Sequence, residues 1–448
     1  MLKMIDLSPG VVVALMLGLL LAVLLLGYPL GYTCAGVALA VGFVVWGPRV
    51  FTILYSQGFS ILKSYSMVAI PLFVYMGVMV DKSGVGKRLF EALEMLLHRL
   101  RGHLAIVVVI TGTLIAASVG IIAASVVMLT LVGLPHMLSR GYNKSLATGC
   151  ICAAGSLGIL IPPSVLLVIY GPLAGLSVGK LFMGAFGPGL LLSALYIMYI
   201  ATACQINPNL APAGIIEGEV KVRLMKKIWM LVSSIFPIII IILSVLGSIF
   251  LGVASPTEAS AVGALATTFL AFAYKGLNWS TLKKAVIETG RDTGMIAIVG
   301  IGALAFTGVF LALGGGDVVA NLLKSAPGGH WGVFAFIMLT LFLLGFFIAD
   351  IGIVFIMVPL ITPIAKVFGF DPIWFAIMVN VNIQTSYMTP PFAIAIYFLQ
   401  GATSKEYGIT TNEIIRGVTP FVVLILVGLV LCVAFPEIIL WLPSKTIH

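Results

Sequence analysis

Charge is scarce in this chain: 24 Lys and Arg together with 15 Asp and Glu make up only 9% of its 448 residues. Soluble domains carry roughly 25% charged residues and need a polar face on each helix, so the deficit excludes a water-soluble globule. Cysteine is sparse too. The five present, Cys34, Cys150, Cys152, Cys204 and Cys432, lie in apolar segments without C-x-x-C spacing, which excludes a disulfide framework or cysteine metal site and leaves small packing residues. No G-x-x-x-x-G-K-[ST] occurs, so ATP hydrolysis by the chain itself is excluded and the drive for any transport must be an ion gradient.

What is abundant is apolar sequence: 61% hydrophobic residues and a mean hydropathy of +1.21. That composition defines an all-α polytopic membrane protein. Segments of spanning length fall near 10–28, 30–47, 67–81, 144–171, 181–204, 228–252, 256–274, 293–313, 372–399 and 417–435, giving ten expected crossings. The first lacks a small-residue cleavage site and reads as a retained span rather than a signal peptide. Two further stretches, 103–138 and 330–366, are too long for one span and hold small or polar residues at mid-length, "AASVGIIAAS" and "FFIADIGIVF". Each is expected to be a re-entrant helical hairpin.

The net charge of +9 would suggest nucleic acid in a soluble protein, but here topology explains most of it. With the N-terminus outside, 17 of the 24 Lys and Arg fall in inner connections, leaving Lys3, Arg49, Lys63, Lys180, Lys324, Lys366 and Lys445 outside. Basic residues cross membranes poorly, so both termini are expected on the outer side. The stretches 82–103 and 278–292 are amphipathic and read as interfacial arms on the cytoplasmic surface.

The chain also repeats. At a shift of 228 residues, Pro135 falls on Pro363, Gly141 on Gly369, and Pro162-Pro163 on Pro390-Pro391. Five crossings separate the copies, an odd number, so they must be inverted in the membrane. A first repeat over 1–205, a cytoplasmic linker over 206–227 and a second repeat over 228–448 follow. Inverted repeats with broken helices are the architecture of secondary transporters.

The prolines supply the breaks. Pro162 and Pro163 remove two backbone donors, and the second forces the first out of helical geometry, so the helix should stop near Gly158 and restart after Ser164. Freed backbone in hydrocarbon is tolerated only where it lines a cavity or coordinates something. Carbonyls at a half-helix C-terminus, with the Ser156 and Ser164 hydroxyls, suit a small hard cation such as Na⁺, while a restarting N-terminus favours an anion. The second copy offers Asn380, Asn382, Gln384, Thr385, Ser386 and Thr389 ahead of Pro390-Pro391. The bland alternative is that paired prolines merely kink packed helices; their recurrence in register weighs against it.

Ser118, Gly120 and Ser125 mark the first hairpin tip, and Asp350 and Gly352 the second. An ionisable group placed mid-membrane is costly and usually functional, so Asp350 is a candidate to orient the tip, bind cation or carry a proton. Capping a half-helix N-terminus would explain it equally well. Glu258 in "SPTEAS" reads as part of a capping box without a transport role. Two motifs for other activities are weak. "GLSVG" matches a hydrolase elbow around Ser177 but follows a span rather than a strand. "GIGALA" (Gly300 to Ala305) matches a dinucleotide fingerprint but reads as helix-packing glycines within a span.

"GSLGILIPPS" closely resembles the signature of the large membrane subunit of the tripartite ATP-independent periplasmic (TRAP) transporters, and the likeness extends over "SPTEASAVGALA" and "TPPFAIAIYFLQG" to essentially the whole chain. The resemblance implies an importer in the bacterial or archaeal inner membrane that takes organic acids from an extracytoplasmic substrate-binding protein, with Na⁺ as the coupling ion and no cofactor. It implies a small four-helix membrane subunit as partner, here expected on a separate polypeptide. It also implies an elevator, in which a static scaffold holds a moving domain built from both hairpins and both broken helices. Carried over by position, one ion site would involve Ser118, Gly120, Ser125, Gly155, Ser156 and Gly158. The other would involve Asp350, Gly352, Asn382, Thr385, Ser386 and Thr389. Pro162, Pro163, Ser164, Pro390 and Pro391 would shape the substrate cavity. The alternative is a stand-alone Na⁺/carboxylate symporter of similar architecture; enzyme activity is not expected.

Overall fold

The computed structural model describes residues 8–212, 224–324 and 327–445, and among them no strand forms. Helices satisfy every backbone group internally, which hydrocarbon demands. Much of the expected linker lies outside the described residues. The first half of the chain folds as α1 Pro9–Leu25, α2 Leu30–Trp46, α3 Val50–Lys63, α4 Ala69–Lys82, α5 Val85–Leu97, α6 His103–Val119, α7 Ile122–Ser139, α8 Lys144–Ser156, α9 Val165–Ala174 and α10 Val178–Ile206. The second half comprises α11 Leu224–Ile242, which continues through a π turn at Leu243–Gly247, then α12 Pro256–Ala273, α13 Trp279–Ala312, α14 Gly315–Lys324 and α15 Gly329–Leu344. It ends with α16 Asp350–Val367, α17 Pro372–Ile383, α18 Ile394–Ala402, α19 Thr411–Ala434 and α20 Glu437–Ser444.

Element bounds recur at one offset. Adding 228 to 122 and 139, the ends of α7, gives 350 and 367, the ends of α16. The same sum carries the start of α8 at 144 to the start of α17 at 372, and the end of α10 at 206 to the end of α19 at 434.

Packing runs between the halves. α8 lies on α19 and its counterpart α17 on α10; α9 lies on α16 and α18 on α7; α13 lies on α2 and α12 on α4. Small residues permit the close crossings: a side chain at Gly149 on α8 would meet the Gly417 Cα of α19 at 3.0 Å. The two central helices are covered on every face, from Leu146 to Ser156 in α8 and from Trp374 to Ile383 in α17. A helix apolar all round belongs in such a core. The outermost helices instead expose large apolar side chains such as Leu25, Trp229, Leu265 and Phe269, as a lipid-facing surface requires.

Among the described residues eight helical runs are long and apolar enough to cross a membrane. Of the ten expected crossings, 144–171 and 372–399 are divided by the breaks and Pro9–Leu25 and Pro256–Ala273 fall short in length or hydropathy, whereas the hairpin helices Ile122–Ser139 and Asp350–Val367 are among the eight. Three local details differ from the sequence reading. Residues 50–63, left between two crossings, form α3, an amphipathic helix that buries Val50 and Ile61 and exposes Phe51, Tyr55 and Phe59. Residues 279–292 are no separate arm but the first turns of the 34-residue α13, about 51 Å long at 1.5 Å per residue. Gly294 alone does not stop a helix whose face packs against α2, α3 and α4. The arm over 82–103 consists of the separate helix Val85–Leu97, set between the end of α4 at Lys82 and the start of α6 at His103.

Candidate functional site

Both Pro-Pro pairs interrupt a helix, but Pro162 and Pro163 are buried whereas Pro390 and Pro391 are exposed. α8 tightens into a 3₁₀ turn at Leu157–Ile159, the chain runs irregularly through Leu160–Ser164, and α9 restarts at Val165. α17 does the same through Gln384–Tyr387, and α18 restarts at Ile394. Pro162-Pro163 and Pro390-Pro391 are both cis. The breaks are held differently. Ser164 bridges the first: its Oγ donates to the Ile159 carbonyl and accepts the Leu167 amide at 3.4 Å, capping α9. Ser164 is thus occupied as a staple. In the second, Ala393 caps α18 with no side-chain bond, and the Tyr397 hydroxyl donates to the Pro391 carbonyl at 3.1 Å.

Each break faces a turn between two helices of its own half. α6 and α7 are joined at Gly120 and Ile121, where Gly120 adopts a φ of 66° that favours glycine. Its Cα sits directly under the Pro163 carbonyl, with no room for a Cβ. Beside it, a side chain at Gly158 would meet Ser125 Oγ at 3.4 Å and the Ile121 carbonyl oxygen at 3.6 Å, while Gly155 lies against Val126. Gly120, Ser125, Gly155, Gly158 and Pro163 are therefore brought together. Ser118 is fully buried one turn earlier, donating to the Leu114 carbonyl at 3.4 Å.

In the second half the turn Gly345–Ala349 precedes α16. Gly345, which the sequence reading passed over, is the residue set against the break: a side chain there would meet Ser386 Oγ at 3.3 Å. Gly352 is not in this cluster. A side chain at Gly352 would run into Leu30 of α2 and not into the break. Asn382 Nδ2 donates to the Met338 carbonyl at 2.8 Å and fastens α17 to α15. Asp350 occupies the first position of α16, after the N-cap Ala349, where the positive end of the helix favours a carboxylate. Its carboxyl lies beside Tyr387 of the second break, whose buried hydroxyl makes no hydrogen bond among the described residues. Tyr387, buried at 1% exposure, is a further residue the sequence reading missed; an aromatic beside a Pro-Pro break carries no distinctive signal in an apolar chain.

The hydroxyls share one habit. Ser156 donates to Ala153 O at 2.8 Å, Thr385 to Asn382 O at 2.7 Å, Ser386 to Ile383 O at 2.6 Å and Thr389 to Thr385 O at 2.7 Å. A hydroxyl that spends its proton on its own helix keeps its lone pairs for something else. Among the described residues no three His, Cys, Asp or Glu side chains converge. Apart from the Asp350 carboxyl, the oxygen ligands on offer are hydroxyls, amides and carbonyls, which suit hard cations. The motif readings for other activities resolve as structure. Ser177 caps α10 by accepting the Lys180 amide at 3.4 Å. Gly302 lies against Gly31 of α2. Ser255 and Glu258 form the expected reciprocal capping box.

Two interrupted helices facing two helical turns, with no strand among the described residues, are the architecture of a multi-pass secondary transporter. The model of the family described as tripartite ATP-independent periplasmic transporter, DctM component, matches residues 17–438, and the chain belongs to that family. It is 29% identical over 412 residues to the C4-dicarboxylate TRAP transporter large permease protein DctM of Pseudomonas aeruginosa, covering 91% of this chain and 93% of that one. It is 27% identical over 436 residues to the ectoine TRAP transporter large permease protein TeaC of Halomonas elongata, covering 96% and 98%. Its fold is similar to that of the Alcanivorax borkumensis YdaH transporter, with a TM-score of 0.60 at 16% identity over 96% of this chain and 99% of that one.

Proposed function

We propose that this chain is the large permease subunit of an inner-membrane importer that couples the uptake of small organic acids to Na⁺, receives them from a periplasmic substrate-binding protein, and works with a small four-helix membrane subunit. The carrying observation is the pair of Pro-Pro breaks, each facing a helical turn of its own half across glycines and hydroxyls with free lone pairs. Each turn-and-break cluster supplies oxygen ligands for one Na⁺, with Ser125, Gly155 and Gly158 at the first and Thr385, Ser386 and Thr389 at the second. The restarting helices α9 and α18 point their positive ends toward an anionic substrate. The α6–α7 and α15–α16 pairs act as re-entrant hairpins that slide with the broken helices past a scaffold containing α2, α3 and α13. Both termini face the periplasm. The carboxylate class is supported by relatives named for C4-dicarboxylates and for ectoine.

The test is uptake into proteoliposomes holding the large and small subunits, with the binding protein loaded with a C4-dicarboxylate or ectoine added outside. An inward Na⁺ gradient is expected to drive uptake, and a proton gradient alone is not. Undiminished transport in Na⁺-free medium would overturn the coupling ion. Uptake by the large subunit alone would replace the tripartite reading with a stand-alone symporter.

A further inference from the structure

One hydrogen bond joins the two breaks to each other. Gln384 Nε2 donates to the Ser156 carbonyl oxygen at 3.0 Å. The two positions are 228 residues apart, which is the repeat offset, so equivalent points of the two halves meet on the seam between them. Ser156 and Gln384 are both fully buried. The amide orientation is fixed, because a carbonyl only accepts and the NH₂ group must face it.

The seam is polar beyond what packing needs. Gln384 Oε1 has no partner. One helical turn earlier Asn380 donates to the Ala376 carbonyl at 2.7 Å, and its Oδ1 is likewise unpartnered. The Tyr196 hydroxyl of α10, the neighbour of Ser156, has no partner either. Buried unpartnered oxygens are disfavoured, and an apolar side chain of the same size would fill this place more stably. A glutamine here therefore calls for a role other than filling.

We infer that Gln384 is a positioning residue that couples the two turn-and-break clusters, by fixing the exit of α8 to the 3₁₀ turn that carries Thr385 and Ser386. Ser156 leads directly into Gly158 and Pro163, which face Ser125 and Gly120; Gln384 leads directly into Ser386, which faces Gly345. A shift at either cluster moves the other through this bond, so occupancy of one changes affinity at the other, and reciprocally. The inference rests on the reading that each cluster binds a cation.

The test uses Na⁺ alone as probe, titrated into the purified complex of large and small subunits and followed by thermal stabilisation and by bound ²²Na⁺. Wild type is expected to bind with a Hill coefficient approaching about 2, and Gln384→Leu, which keeps the volume, with a coefficient of about 1 and a severalfold higher half-saturating concentration. Gln384→Glu separates positioning from packing. Its carboxylate at about pH 8 repels the Ser156 carbonyl, whereas the protonated form at about pH 5 donates to it, so acid restores cooperativity in this variant alone.

An unchanged Hill coefficient in Gln384→Leu would overturn the inference, as would non-cooperative Na⁺ binding by wild type. A Glu variant that is non-cooperative or unfolded at both pH values would make the residue a packing element and overturn it too. Wild type that binds no Na⁺ would instead overturn the transport reading itself, which distinguishes the two failures.

Discussion

Arg140 holds Glu94 across two helices: its Nη2 meets the Glu94 carboxylate at 2.6 Å and ties α5 to the end of α7. The same guanidinium donates from Nη1 to His103 Nε2 at 3.2 Å. Because guanidinium only donates, that nitrogen accepts, and the proton sits on Nδ1, which faces the Leu100 carbonyl at 3.1 Å. Tyr142 completes the corner. Burial, the dominant influence, raises its phenol well above the ordinary range, so it stays neutral and accepts the Leu104 amide at 3.1 Å.

The fork is the testable part. Arg140→Lys keeps the charge but cannot reach both partners, and it should lower the melting temperature of the complex by about 2 °C, equivalent to about 1 kcal/mol for a partly exposed pair. Arg140→Ala should lower it further. An unchanged melting curve for the lysine variant would mean that Glu94 alone makes the contact.

Gly120 and Gly175 form a controlled comparison. Their φ values are 66° and 67°, so alanine carries the same left-handed cost of about 1 kcal/mol at each. Only Gly120 also lacks space, because the Pro163 carbonyl lies over it, whereas nothing stands within 4 Å of a Cβ at Gly175. Gly120→Ala should therefore reduce uptake by more than about 10-fold while Gly175→Ala stays within about 2-fold, at equal expression. Equal loss in both variants would refute a specific fit between turn and break.

The second turn allows a similar separation. Gly345→Ala pushes on Ser386 and should raise the Na⁺ concentration for half-maximal uptake. Gly352→Ala pushes on Leu30 of α2 instead and should slow maximal uptake without moving Na⁺ dependence. If Gly352→Ala shifts Na⁺ affinity and Gly345→Ala does not, the geometric assignment is reversed.

Asp350 and Tyr387 bring the start of α16 beside the second break. Tyr387→Phe removes the hydroxyl and leaves the ring, so it should weaken transport by about 3-fold to 10-fold, the span of one ordinary neutral hydrogen bond. Asp350→Asn should cost more, since the carboxylate also sits on the helix N-terminus. Full uptake by Asp350→Asn and Asp350→Ala at normal expression would remove this residue from transport.

The two breaks were legible because proline acts locally: a missing N–H and a fixed φ interrupt a helix whatever surrounds it. Sequence placed the first stop near Gly158 and the restart after Ser164; the structure ends the 3₁₀ turn at Ile159 and restarts at Val165. The capping box at Ser255 and Glu258 was readable for the same reason, since it spans only three residues. The misjudged arm shows the opposite case. Residues 279–292 carry the charges of an interfacial segment, and nothing local says whether their helix stops at Gly294 or continues to Ala312.

Within the site, the sequence could name candidate oxygens but not their directions. Gly352 and Gly345 are both small residues in the same apolar stretch, and only tertiary packing sends Gly352 of α16 toward Leu30 and sets Gly345 of the preceding turn against Ser386. Ser164 reads as a free hydroxyl until its bond to the Ile159 carbonyl appears.

By itself, then, the sequence determined the solvent, the helical class, the repeat offset and the points of rupture, because hydropathy, periodicity and proline stereochemistry are properties of neighbouring residues. Tertiary structure alone decided that Gln384 would donate to Ser156, that Tyr387 would lie beside Asp350, and that the halves would interlock. Those contacts join residues from 37 to 228 positions apart, and only the packing of whole helices brings such groups to one place.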